Sequence, residues 1–140
     1  MLSALDISTS GLVAQRTRLN AITSNIANIS TTVNENGEVK AYQPRYAVFQ
    51  ADEESPYPEG SVGVKVSSIE IEQSEPRYKL QPDHPNAIKE GRLKGYVPVS
   101  NINLQREMVD ALEATRAYEA NIGVIETTKS MSQQTLRILV

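Results

Sequence analysis

The sequence predicts an α+β fold: long N- and C-terminal helices forming an antiparallel coiled-coil-like pair, with a small β-rich insert between them. Three observations carry this. All seven prolines of the 140-residue chain lie between residues 44 and 98. Apolar residues recur at seven-residue spacing in both proline-free ends, the spacing of a helical seam that faces another helix. Five of the six tyrosines and the single phenylalanine fall in the middle, which concentrates there the anchors of any globular core. The chain accordingly divides into an N-terminal helical arm over 1–32, a small β-rich insert over 33–100 and a C-terminal helix over 101–140.

In the first arm Leu5, Leu12, Leu19 and Ile26 are seven apart, and Ile22 and Ile29 follow the last two by three. This predicts a helix from about residue 3 to 29 with a thin apolar seam. Ser, Thr and Asn supply 13 of the first 32 residues, and these side chains compete with the helical backbone for hydrogen bonds. Two readings follow: an amphipathic helix lying on its own domain, or a segment that becomes helical only on assembly. The second is preferred, because the thin seam offsets little of the ordering entropy. The stretch from Asn25 to Thr32 predicts the end of the helix, since Asn tolerates left-handed backbone and the Ser-Thr-Thr cluster suits a turn.

The insert reads as short strands and turns. Residues 40–50 carry β-formers around Pro44, consistent with an edge strand. Residues 53–60, with two prolines and three acids, predict an exposed loop. Residues 62–73 form the strongest strand candidate: Val62, Val64 and Val66 alternate, and after Ser67-Ser68 so do Ile69 and Ile71. Residues 77–80 are a further candidate, and the Gln-Pro-Asp-His-Pro-Asn run over 81–86 demands a turn. Gly95-Tyr96-Val97-Pro98 then leads to the second helix.

That helix is predicted to start after Pro98, with Ser100, Asn101 or Asn103 as its N-cap. Leu104, Ala111, Tyr118, Ile125 and Leu139 share one seven-residue series, interrupted by Ser132. Met108, Thr115, Ile122 and Leu136 share a second, interrupted by Lys129. Together they predict a seam too long for a domain of this size to bury alone. Gly123 in mid-helix marks either close approach of another backbone or a tolerated weak spot costing about 1 kcal/mol.

Composition excludes several function classes. Net charge is −3 with no basic stripe, against a nucleic-acid partner. There is no cysteine, hence no disulfide or thiolate metal site. No apolar run approaches the roughly 20 residues that cross a bilayer, so no direct membrane span is expected. The N-terminus lacks a cationic region followed by an apolar one, so no cleaved signal peptide is expected either. His84, the only histidine, reads as a turn residue beside Asp83. No convergent set suggests a catalytic, cofactor or metal site.

Several motifs resemble one family. Leu5-Asp6-Ile7-Ser8 with Ser10-Gly11-Leu12, then Ser24-Asn25-Ile26-Ala27-Asn28 and Ser30-Thr31-Thr32, resemble the N-terminal signature of bacterial flagellar rod and hook proteins. Ala27-Asn28-Ile29-Ser30-Thr31 is similar to that family's Ala-Asn-x-x-Thr motif. Glu107-Met108-Val109-Asp110, Arg116-Ala117-Tyr118-Glu119-Ala120-Asn121 and residues 136–139 resemble its C-terminal helix. Gly63-Val64-Lys65-Val66, Pro82-Asp83-His84-Pro85-Asn86-Ala87 and Gly95-Tyr96-Val97 are similar to the short proximal-rod type. Two stretches depart from the pattern: residues 88–94 lengthen one connection, and Ser100-Asn101-Ile102-Asn103 replaces a more usual Pro-Asn-Val.

The resemblance implies a non-enzymatic structural subunit of the basal-body proximal rod, exported by the flagellar type III apparatus without a cleaved signal. It implies terminal helices that assemble helically around the export channel. The partners would be copies of the chain, other rod proteins, and the junction with the membrane ring and export gate. On this reading Leu5, Leu12, Leu19, Ile22 and Ile26 pack against Leu104, Met108, Tyr118, Ile122, Ile125, Leu136 and Leu139, within the subunit and between neighbours. Asn25, Asn28 and Thr31 fix the turn ending the first helix, and Asn121 hydrogen-bonds in the helix layer. The alternatives are a distal rod or hook subunit, which needs a longer insert, and a cytoplasmic coiled-coil adaptor or export chaperone.

Overall fold

The structure is a computed structural model that describes residues 2–34, 36–53 and 61–138. Helix α1 spans Leu2–Ala27 and helix α2 spans Leu104–Ile138. Between them lie strands β1 (Arg45–Asp52), β2 (Gly63–Ile71), β3 (Arg77–Leu80) and β4 (Tyr96–Val99). At 1.5 Å per residue the helices are about 39 and 52 Å long.

The hydroxyl-rich composition of α1 is accommodated within the helix itself. Thr9, Thr17 and Thr23 donate to the carbonyls of Leu5, Val13 and Leu19, one turn back, at 2.7, 3.0 and 2.8 Å. Beyond Ala27 the chain turns on Asn28. Its amide Nδ2 donates to Ser24 O at 2.9 Å, and its Oδ1 accepts from Thr31 Oγ1 at 3.1 Å. The helix therefore ends where the Asn28 side chain folds back onto the Ser24 carbonyl and Thr31 bonds that side chain in turn. A short excursion follows, closed by a Val33–Val39 bridge, which the sequence reading does not anticipate. Its tip is held by Asn34 Oδ1, which accepts from the backbone N of Asn36 and of Glu38. Gly37 supplies the positive φ of 78° that the tip needs.

Strands β1 and β2 form an antiparallel pair. Ser67-Ser68 does not interrupt β2. The register passes from Val48–Ser68 to Phe49–Val66, so Ser67 is a bulge that shifts the side-chain alternation by one. One side of this pair rests on α1, where Ser10 Oγ accepts from Val64 N at 3.1 Å. Strands β3 and β4 form a second antiparallel pair, so the stretch read as a lead-in to the helix is itself a strand. Pro98 is tolerated because β4 is an edge strand. Val97 within it is the largest fully buried side chain.

Between β3 and β4 the expected turn is present, with His84 in a structural role. Its Nδ1 accepts from Asn86 N at 3.1 Å. Residues 88–95 extend the pair as a tight loop: Ile88 N donates to Tyr96 O and Gly95 N to Ile88 O, each at 2.9 Å. Of the three candidate caps, Asn103 starts α2; its Oδ1 accepts from the N of Gln105 and of Arg106.

The helices run antiparallel, since Asn25 meets Glu107, Arg18 meets Asp110 and Glu113, and Gly11 meets Asn121. Their contact is built from small residues: Ser8, Ala14, Ala21 and Ala114 are buried, and among the described residues Ile22 is the only large apolar one buried in either helix. A methyl group on Gly123 would meet no atom of the described residues within 4 Å beyond its own turn of helix, so no described backbone from another element approaches there. The close approach is at Gly11 instead.

Candidate assembly interface

Helix α2 carries two parallel stripes on one flank. The inner stripe is Glu107, Ala114 and Asn121, which face α1. The next stripe, one residue on in each heptad, is Met108, Thr115 and Ile122, all exposed. Between the two run Ala111, Tyr118 and Ile125, each half-buried. At 3.5 residues per turn the two outer series lie about 50° to either side of the central one. The helix thus gives one flank to its own partner and turns an adjoining apolar flank outward.

The residues expected at the interface divide along this line. In α1, Ile22 and Asn25 are buried, while Leu5, Leu12, Leu19 and Ile26 are half-buried. Asn28 and Thr31 are half-buried at the turn. In α2, Tyr118, Asn121 and Ile125 are half-buried. Leu104, Met108, Ile122 and Leu136 are exposed, at 41, 56, 37 and 64%. Leu139 lies outside the described residues. Within the chain, the α2 positions seen to meet α1 include Glu107, Ala114 and Asn121, one position before Met108, Thr115 and Ile122. The reason is size: small and polar side chains let the two helices approach closely, and the larger apolar ones are left outside. The available signal was the recurrence of small residues at heptad spacing (Ala14 with Ala21), which a search for large apolar residues passes over.

Asn25 organises the end of the pair. Its Nδ2 donates to Arg45 O at 2.8 Å and to Glu107 Oε2 at 3.2 Å. Its Oδ1 accepts from Arg45 N at 2.8 Å and from Tyr42 OH at 3.4 Å. One buried amide thus joins α1, the start of β1 and the first turn of α2. Tyr42 OH also shares a hydrogen bond with Ser24 Oγ at 3.1 Å. Burial raises the pKa of Glu107 above its ordinary 4.5; the Asn25 bond lowers it, Asp110 raises it, Arg106 lowers it and Glu72 raises it. Arg18 bridges Asp110 at 3.4 Å and Glu113 at 3.2 Å. These part-exposed pairs orient the helices more than they stabilise them.

A groove of about 680 Å³ opens beside this junction, between the second half of α1, β1 and the first turns of α2. Among the described residues no three histidines, cysteines or carboxylates gather into a metal site. No described helix is long and apolar enough to cross a membrane.

A subunit with a small helix-pair core and an uncovered apolar flank belongs to the class of structural, assembling proteins. The comparisons specify which. Residues 5–34 match the family described as "Flagella basal body rod protein", and residues 93–138 match "Flagellar basal body rod FlgEFG protein C-terminal". The chain is 39% identical to the flagellar basal-body rod protein FlgC of Borreliella burgdorferi, across 99% of this chain and 97% of that protein. It is 36% identical to FlgC of Salmonella typhimurium over the same shares, and 36% identical to FlgC of Bacillus subtilis across 96% and 95%. The chain belongs to the FlgC family of flagellar basal-body rod proteins, which are structural components and not enzymes.

Proposed function

We propose that this protein is a subunit of the proximal rod that assembles helically through its terminal helices, forming part of the drive shaft and of the wall of the export channel. The two arms over 1–32 and 101–140 act as the assembling body, with coiled-coil-like seams, and the 33–100 insert stands outside it. The partners are other copies, the other rod proteins, and the junction with the membrane ring and export gate. The chain reaches the periplasmic rod through the flagellar type III apparatus without a cleaved signal.

One observation carries this reading. The chain exposes 10172 Å², whereas a compact monomer of 15.4 kDa exposes about 7,200 Å². The excess includes the outward apolar flank of α2, with Leu104, Met108, Leu112 and Ile122. A row of exposed large apolar side chains along one helix is the kind of surface that marks a contact with another macromolecule. Repeating a contact that is not self-complementary generates a helical array.

The test is the double substitution Leu12→Asp with Ile122→Asp in a strain lacking the wild-type chain. Motility is lost while the strand signal of the insert persists in the purified protein. Normal swimming contradicts the reading.

A further inference from the structure

The tip of the excursion that follows α1 holds a reactive pair of residues, Asn36 and Gly37. Asparagine is chemically labile, because the backbone nitrogen of the next residue can attack its side-chain amide. Of the nine asparagines in the chain only Asn36 precedes glycine, and four of the others precede isoleucine. The difference matters: a branched side chain crowds the attacking nitrogen, whereas glycine has no Cβ to stand in the way. Asn36 and Gly37 are both exposed, so water reaches the pair.

We propose that Asn36 is a self-modification site, losing its amide by attack of Gly37 N, and that the turn centred on Asn34 sets the rate. In the step a bond forms between Gly37 N and Asn36 Cγ, and the bond from Cγ to Nδ2 breaks. The proton from Gly37 N reaches the leaving nitrogen through water, and ammonia departs. Water then opens the five-membered imide at either carbonyl, leaving aspartate or isoaspartate at position 36. Nothing is oxidised or reduced.

Asn34 holds the two backbone nitrogens on either side of the reacting carbon. Its backbone O accepts from Gly37 N at 3.0 Å, and its Oδ1 accepts from Asn36 N at 3.1 Å. Oδ1 also accepts from Glu38 N, and Nδ2 donates to Glu38 Oε2, each at 2.9 Å. The N–H that Gly37 must surrender is therefore the one bonded in the turn, and Gly37 is fixed there at a φ of 78°. Attack requires the turn to open. The rate is then that of the open chain multiplied by the fraction of time spent open.

The product does not fit the turn it came from. Either form places a new negative charge two residues from Glu38. Isoaspartate also lengthens the main chain by one carbon between Val33 and Val39, which puts their bridge out of register. Once made, the change keeps the tip open.

The test follows the full-length chain in mildly alkaline buffer, folded and in denaturant. Conversion at position 36 is read by peptide mass and by isoaspartyl methyltransferase labelling. Hydrogen exchange at the Gly37 amide is measured alongside, since it needs the same opening. Folding should slow conversion at least about tenfold, and the protection of the Gly37 amide should match that factor within about threefold. Asn34→Ala removes the side-chain acceptor and should speed both processes about five- to tenfold, with the helical signal retained. Asn34→Asp keeps the accepting oxygen and should lie closer to wild type. In denaturant, Gly37→Ala should slow conversion several-fold, which ties the reaction to Gly37 N. Conversion as fast in the folded chain as in denaturant overturns the role of the turn, and so does a wild-type rate in Asn34→Ala. Conversion at another asparagine before position 36 overturns the site itself.

Discussion

Gly11 of α1 and Asn121 of α2 meet so closely that a methyl group on Gly11 would lie 2.9 Å from Asn121 Oδ1 and 3.1 Å from its Cγ and Nδ2. The amide cannot simply swing away, because its Nδ2 donates to Ala117 O at 2.8 Å. Glycine in mid-helix costs about 1 kcal/mol in propensity, and here it is the condition for the helices to approach. Gly11→Ala thus sets a propensity gain against a clash and is close to neutral. Asn121→Ala in the same chain removes the clash and releases the gain. A double-mutant cycle on the denaturant midpoint of the helical signal should give a coupling of about 0.5–2 kcal/mol. Strict additivity would remove the contact from the account.

Asn25 is 3% exposed and serves three elements at once. Asn25→Ala leaves the Arg45 backbone pair and the Glu107 carboxylate without their partner, at a cost of about 1–3 kcal/mol. Asn25→Asp keeps the shape and can still accept from Arg45 N, but it loses both donors and faces a second carboxylate. It should therefore destabilise at least as much at neutral pH and recover on acidification. Denaturant unfolding of both variants at two pH values checks the order.

Glu107 makes stability depend on pH in a defined direction. Its folded pKa is raised above the unfolded value, so the native state binds more protons between the two. The contribution of the protonated carboxyl is complete below the unfolded value and is lost as pH rises through the folded one. The groups that set the shift with it are Asn25, Asp110, Arg106 and Glu72. Glu107→Gln keeps an acceptor for Asn25 and removes the charge. Its stability should match wild type below the window and exceed it above. An equal offset at all pH values would mean that the charge has no part in it.

The sequence made the two helices, the β character between them and the turn at 81–86 legible, because proline placement and periodicity act locally. The Asn25, Asn28 and Thr31 cluster was visible as a helix end, and both Asn28 and Thr31 do bond there. Two things were hidden. Strand β4 is a four-residue element containing Pro98, and only its pairing with β3 defines it. The flank of α2 that meets α1 was the second, because seven-residue spacing of large side chains marks what can be buried but not in which partner. Ala114, fully buried, has no large neighbour in its own series to announce it. Glu107 gave no signal either, since a charged residue at a contact position is recognised only once Asn25 is seen opposite.

The central claim is that the outer flank of α2 is covered in the rod and bare in the lone chain. Met108 sits on that flank and is 56% exposed, and thioether oxidation follows access to solvent. The decisive measurement is peroxide oxidation of Met108, read by peptide mass in the purified chain and in isolated basal bodies. Ready oxidation in the free chain and strong protection in the basal body are the predicted result. Equal oxidation in both would show that no neighbour covers the flank, and the account would be wrong.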